Sequence, residues 1–166
     1  MTDWITEWLQ QNKAEIDKLA EDIFSHPETA GEETHSAAAL EDFLQKNGFS
    51  VSQNTAGLPT AFTAEKGKGG ARIAFLAEYD ALPNLGQNPV AHCDPVPGNG
   101  HGCGHNLLGT GIAAAACALA LDAPVSLVLS YAEHQHTTGK RSPVYANVRL
   151  ACDEAGKLTA MDFLAG

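Results

Sequence analysis

Hydrophobic positions in the first fifty residues recur at helical steps. Trp4, Ile5, Trp8, Leu9, Ile16, Leu19, Ala20, Ile23 and Phe24 follow one another at three- and four-residue intervals. That is the period of an amphipathic helix, and Pro27 in "SHPE" forbids its continuation. A second helix is expected from about Thr34 to Asn47, with Ala38, Leu40, Phe43 and Leu44 inward and Gly48 as its stop. The pattern then changes: "FSVSQ" and "PTAFTAE" read as short strands ahead of the turn "KGKGG", and Ile73–Ala77 reads as a buried strand running into Glu78 and Asp80.

The twenty residues from Asn84 to Cys103 hold three prolines and four glycines, so they form an irregular loop, and a loop of that length in a compact domain usually carries function. "NLLGTGIAAAACALALD" follows as a helix whose alanines imply close packing against a sheet. "APVSLVLSYAE" is a further buried strand, and "VYANVRLACD" with "KLTAMDFLAG" form a hairpin around "EAG". The expected class is α/β, a mixed sheet flanked by helices with a C-terminal β-hairpin.

A length of 166 residues suits a single domain over 1–166. Hydrophobic residues at 44% and charged residues at 18% are globular proportions, which excludes a disordered chain. No stretch approaches the roughly 20 apolar residues of a membrane span, and the polar, acidic start is unlike a signal peptide, so a cytoplasmic location is expected. Twenty acids against ten bases give a net charge of -10, which repels phosphate backbones and argues against nucleic acid as partner. Four sparse cysteines do not make a disulfide framework.

Candidate chemistry centres on "HGCGHNLLGTG", residues 101–111, where Cys103 and His105 are soft ligands separated by a glycine. Thiolate and imidazole suit zinc and similar borderline metals. From spacing alone, a ligand loop and a plain flexible connection both remain open. The context favours the site: the loop opens a helix, whose positive end attracts thiolate or carboxylate, and acids arrive from strand ends at Glu78, Asp80 and Glu133. Asp80 is the stronger site candidate of its pair, with Glu78 read as a loop or helix cap. His92 with Asp94 reads as surface decoration, and His26, His35 and His136 as structural or solvated residues.

"SHPETAGEETHSAAALEDFLQKNGFSV", "FLAEYDALP" and "GHGCGHNLLGTG" occur in order, and over about residues 10–115 the chain resembles the di-metal amidohydrolase and carboxypeptidase superfamily. Its nearest branch is that of the aminobenzoyl-glutamate utilization proteins. The resemblance implies one or two Zn or Mn ions, hydrolysis of an N-acyl amino acid or similar amide and a small-molecule amide substrate; apolar edges left by a missing partner domain would favour a homo-oligomer. It makes Cys103 and His105 metal ligands and places Asp80 in an acidic catalytic motif. The strand end "YAEH" stands where such enzymes carry "PAEE", which makes Glu133 the general base and His134 a ligand.

Members of that superfamily are more than twice this length, with a second domain and further histidine ligands, so the site here is expected to be incomplete and the catalytic domain truncated. From about 123 to 166 the chain resembles instead a segment of the molybdenum-binding subunit of xanthine dehydrogenase and aldehyde oxidoreductase, without its cofactor-contacting motifs. A chimeric junction is expected near 110–123. The alternative to a hydrolase is a non-catalytic folded fragment or oligomeric interaction module with a relic metal loop; a pterin-binding fragment ranks last.

Overall fold

A computed structural model of the chain describes residues 3–68, 73–120, 125–129, 146–152 and 158–165. They fall into two compact units, Met1–Gln135 and His136–Gly166.

The first unit is an α/β layer structure. Helix α1 (Asp3–Ser25) and helix α2 (Thr34–Lys46) precede strands β1 (Ser50–Gln53), β2 (Phe62–Lys66) and β3 (Ile73–Ala77). Helix α3 (His105–Leu119) and strand β4 (Val125–Leu129) complete it. The sheet order is β1-β2-β4-β3, with β3 and β4 parallel and the other neighbours antiparallel. Parallel neighbours need a crossover, and α3 supplies it. The second unit is an antiparallel pair, β5 (Ala146–Cys152) with β6 (Leu158–Ala165).

The apolar stripe of each helix becomes the core. Ile23, Leu40, Phe43 and Leu44 pack with Phe62, Ala64 and Ala77 of the sheet and with Ala113, Ala116 and Cys117 of α3. Cys117 behaves as a small hydrophobe, and burial pushes its thiol up to about 12, so it stays protonated.

Helix ends follow the expected punctuation. Gly48, at φ +83°, takes the left-handed position after α2; its N–H bonds Gln45 O at 2.9 Å and the Phe49 N–H bonds Leu44 O at 3.0 Å, closing the helix C-terminus. The N-terminus of α2 is capped from a distance by Glu28. Its carboxylate accepts the His35 and Ser36 N–H groups, both at 2.8 Å, and the hydroxyls of Ser36 and Thr34. Burial pushes the Glu28 carboxyl up, but these hydrogen bonds outweigh it and hold the group below the ordinary value.

Two differences from the periodicity have physical reasons. β2 begins at Phe62 rather than near Pro59, because a short 3-10 turn at Thr55–Gly57 and the Thr55 N–H to Ala61 O bond occupy the preceding segment. β3 is less buried than its apolar run implies: it lies at one end of the described sheet, and Ile73 is 43% exposed.

Two features hold the carboxyl end of β3 against the start of α3. Gly109 faces the Glu78 carbonyl; a Cβ there would stand 3.1 Å from that oxygen and 3.3 Å from the Tyr79 Cβ, so the small residue permits the approach. The long loop after β3 is pinched at its neck by reciprocal bonds between Leu82 and Gly100, at 2.9 and 3.0 Å. The pinch returns the chain to Asp80 just before His101–His105.

Candidate metal centre

Glu78 and Asp80 follow β3 two residues apart, a spacing that puts both side chains on one side of an extended chain. Both are buried, at 5% exposure each. His105 is the first residue of α3 and comes between them: its Nδ1 lies 2.6 Å from Asp80 Oδ1 and its Nε2 3.3 Å from Glu78 Oε2. One ligand atom from each of the three residues lies within 4.8 Å of the other two. Gly104, at φ +75°, turns the chain immediately ahead of His105.

The electrostatics follow from burial. Loss of solvent pushes the Glu78 carboxyl up to about 7, with the neighbouring Asp80 charge adding to the rise and His105 opposing it. The hydrogen bond to Asp80, reinforced by the charges of both carboxylates, raises the His105 imidazole above its ordinary value against the opposing effect of burial. Protons thus offset negative charge that a cation would neutralise in their place.

The surroundings are built to hold this arrangement still. His101 is buried and donates from Nε2 to the Ile23 carbonyl at 3.1 Å, and the Asn106 amide donates to Ala20 O at 3.2 Å. These bonds tie the C-terminal part of α1 to both flanks of His105. Burial lowers the basicity of His101. Tyr79 donates its hydroxyl to the Thr60 carbonyl, and burial raises its pKa. A cavity of about 260 Å³ opens beside the acids, lined by Leu58, Pro59, Ala61, Ala77 and Glu33 among others.

Asp80 and His105 are therefore brought together, and Glu78, read from the sequence as a cap, joins them. The signal in the sequence that could have found Glu78 is its strand-like spacing from Asp80. Cys103 is exposed and belongs to neither of the two ligand groups found among the described residues. Glu133 and His134 lie outside the described residues. His92 and Asp94 sit in the loop, where the Asp94 carboxylate accepts from the Asn88 amide at 2.8 Å. The second ligand group joins Asp22 to His26 and His35, two histidines that the sequence reads as structural or solvated.

The donor set suits a divalent borderline cation: two carboxylates and an imidazole, inward-facing and close. Asp80 meets the Nδ1 side of His105 and leaves Nε2 facing Glu78, the carboxylate–histidine arrangement that orients a metal-binding imidazole.

Residues 80–165, just over half of the chain, match the molybdopterin cofactor-binding domain family. By this match the chain belongs to the molybdopterin cofactor-binding domain family. Membership spans the second half, from Asp80 through the hairpin. In the part of that span whose side chains are described, the buried Asp80 carboxylate would repel the phosphate of a pterin cofactor. The chain is also similar to proteins named as hydrolases and peptidases. The chain is 44% identical over 121 residues to a component of the p-aminobenzoyl-glutamate hydrolase of Escherichia coli, covering 70% of this chain and 25% of that protein. It is 39% identical over 108 residues to Xaa-Arg dipeptidase of Mus musculus, covering 58% of this chain and 22% of that one. Both relatives are hydrolases by name, and the chain spans about a quarter of their length. The crystal structure of Bacillus subtilis YXEP protein, a dinuclear metal binding peptidase from the M20 family, superposes with a TM-score of 0.62 at 23% identity. It covers 75% of this chain and 36% of that one, and shows the same fold. Among the described residues no helix is long and apolar enough to cross a membrane.

Proposed function

We propose that the first unit carries a metal-dependent amidohydrolase centre of the M20 peptidase type, acting on an N-acyl amino acid or a similar small amide. The observation that carries this reading is the convergence of the buried Glu78 and Asp80 with the partly buried His105 where β3 ends and α3 begins. The hydrolase relatives support it.

Glu78 and His105 Nε2 would hold a Zn or Mn ion, with Asp80 orienting the imidazole or contributing its second oxygen. A bound ion of this class polarises an amide carbonyl and makes a water more acidic. The chain's residues supply the rest. On this reading Glu133 would take the proton from the attacking water and His134 would serve as a further ligand. The apolar wall of Leu58, Pro59 and Ala61 shelters the acyl portion of the substrate and keeps bulk water from the acids. The protein works as a homo-oligomer in the cytoplasm, without nucleic-acid or membrane partners.

The test is release of free amine from a panel of N-acyl amino acids by protein reconstituted with Zn or Mn, with His105→Ala alongside. The reading expects metal-dependent hydrolysis that disappears in the variant. Bound metal without hydrolysis would overturn the catalytic assignment and favour a non-catalytic module in which the centre only stabilises the fold.

A further inference from the structure

The second ligand group lies on a different face, where α1 ends and α2 begins. Asp22 and His26 are four residues apart across the last turn of α1, a spacing that puts two side chains on one helix face. His35 reaches them from the first turn of α2. Its Nε2 is 2.9 Å from Asp22 Oδ2, and the two imidazole rings stack with centroids 4.0 Å apart at 30°. Ligand atoms of all three lie within 4.8 Å of one another.

Two details make this more than a chance surface cluster. His26 Nδ1 is 2.8 Å from the Asp22 backbone carbonyl, which can only accept, and 3.4 Å from Asp22 Oδ1, so in the neutral ring Nδ1 carries the hydrogen and the lone pair lies on Nε2. A backbone carbonyl on one nitrogen is the usual way a protein orients an imidazole that binds metal through the other. The anchoring of α2 is also independent of the cluster: Glu28 holds the His35 and Ser36 N–H groups, so His35 is presented by a capped helix start. The groove beside Asp22 and His35 carries Glu15 and Asp42 against Lys18 and Lys46, leaving no net positive charge to repel a cation.

We infer that Asp22, His26 and His35 form a second divalent-metal site, taking zinc or a cation of similar borderline character and clipping the end of α1 to the start of α2. Two imidazoles and one carboxylate are the wrong donors for magnesium or calcium and the right ones for zinc, for which three protein ligands leave a fourth position to water. Donors of a four-coordinate ion at about 2.0–2.1 Å stand roughly 3.3 Å apart. Side chains with 38% to 50% exposure reach that separation by small rotations. The site shares no residue with the Glu78 group and does not rest on the hydrolase reading.

Zinc stoichiometry of the whole chain, by equilibrium dialysis after chelator treatment, tests the inference. His35→Gln and Asp22→Asn are each expected to lose one equivalent relative to the unaltered protein, with far-UV circular dichroism unchanged. Unchanged stoichiometry in both variants would overturn it. A second readout needs no substitution: on zinc addition to the ¹⁵N-labelled protein, the ring nitrogens of His26 and His35 are expected to shift together. Rings that stay at their metal-free positions at saturating zinc would equally overturn the inference.

Discussion

Two triads in this molecule use almost the same donor chemistry in opposite settings. Glu78, Asp80 and His105 sit where a strand and a helix meet, with both acids at 5% exposure. Asp22, His26 and His35 sit between two helix ends, with side chains 38% to 50% exposed. Burial separates them. In the inner triad each charge lacks solvent, so the groups must share protons or a cation, and the Glu78 carboxyl is driven up to about 7. In the outer triad water can solvate every member, and a metal would add a clip rather than resolve a conflict.

The sharpest way to break the contrast is to remove the imidazole from each. His105→Ala leaves two buried carboxylates facing one another, and near neutral pH without metal it is expected to cost about 3 kcal/mol of stability, read by urea unfolding. A loss as small as that of a surface pair would show that the inner triad is solvated.

The pH dependence sharpens the same point. Glu78 binds its proton more tightly folded than unfolded, so its contribution is fully present below about pH 4.5 and is lost as pH rises through about 7. Across that window the loss is expected to reach about 3 kcal/mol in metal-free protein. His105, also raised, acts in the same direction. Glu78→Gln should flatten this decline, measured as unfolding free energy against pH; an unaltered slope would assign it elsewhere.

The inner triad was half visible in the sequence, and the reasons are physical. An apolar run ending in acids and a glycine-rich loop opening a helix are local signals, and they marked Asp80 and His105. Glu78 has the same local signal but reads equally as a cap; only the tertiary closeness of α3, permitted by Gly109, turns its side chain into a neighbour of His105. Cys103, one residue from the helix turn at Gly104, looked like a ligand by spacing and lies exposed. The outer triad was invisible because His35 comes from a second helix whose approach depends on the loop between. The helices and strands were legible from periodicity, apart from the delayed start of β2, where the turn at Thr55–Gly57 intervenes.

Smaller effects belong to the outer region. Glu28→Ala removes the acceptor for two N–H groups of α2 and should cost about 1 kcal/mol, with protection of the His35 and Ser36 amides against hydrogen exchange falling first. Retained protection there would mean that another group caps the helix. His35→Ala, at a half-exposed pair, should cost well under about 1 kcal/mol in metal-free protein. A cost equal to that of His105→Ala would erase the distinction by burial.

The most direct measurement is metal content by plasma mass spectrometry, on protein purified without chelators or a metal-affinity column. The His35→Ala chain would be compared with the same chain also carrying His105→Ala, after folding of both has been checked. With the outer triad broken, the account predicts near-stoichiometric Zn or Mn in the first chain and its loss in the second. Equal metal in both, or none in either, would contradict the central claim that Glu78, Asp80 and His105 form a working metal centre.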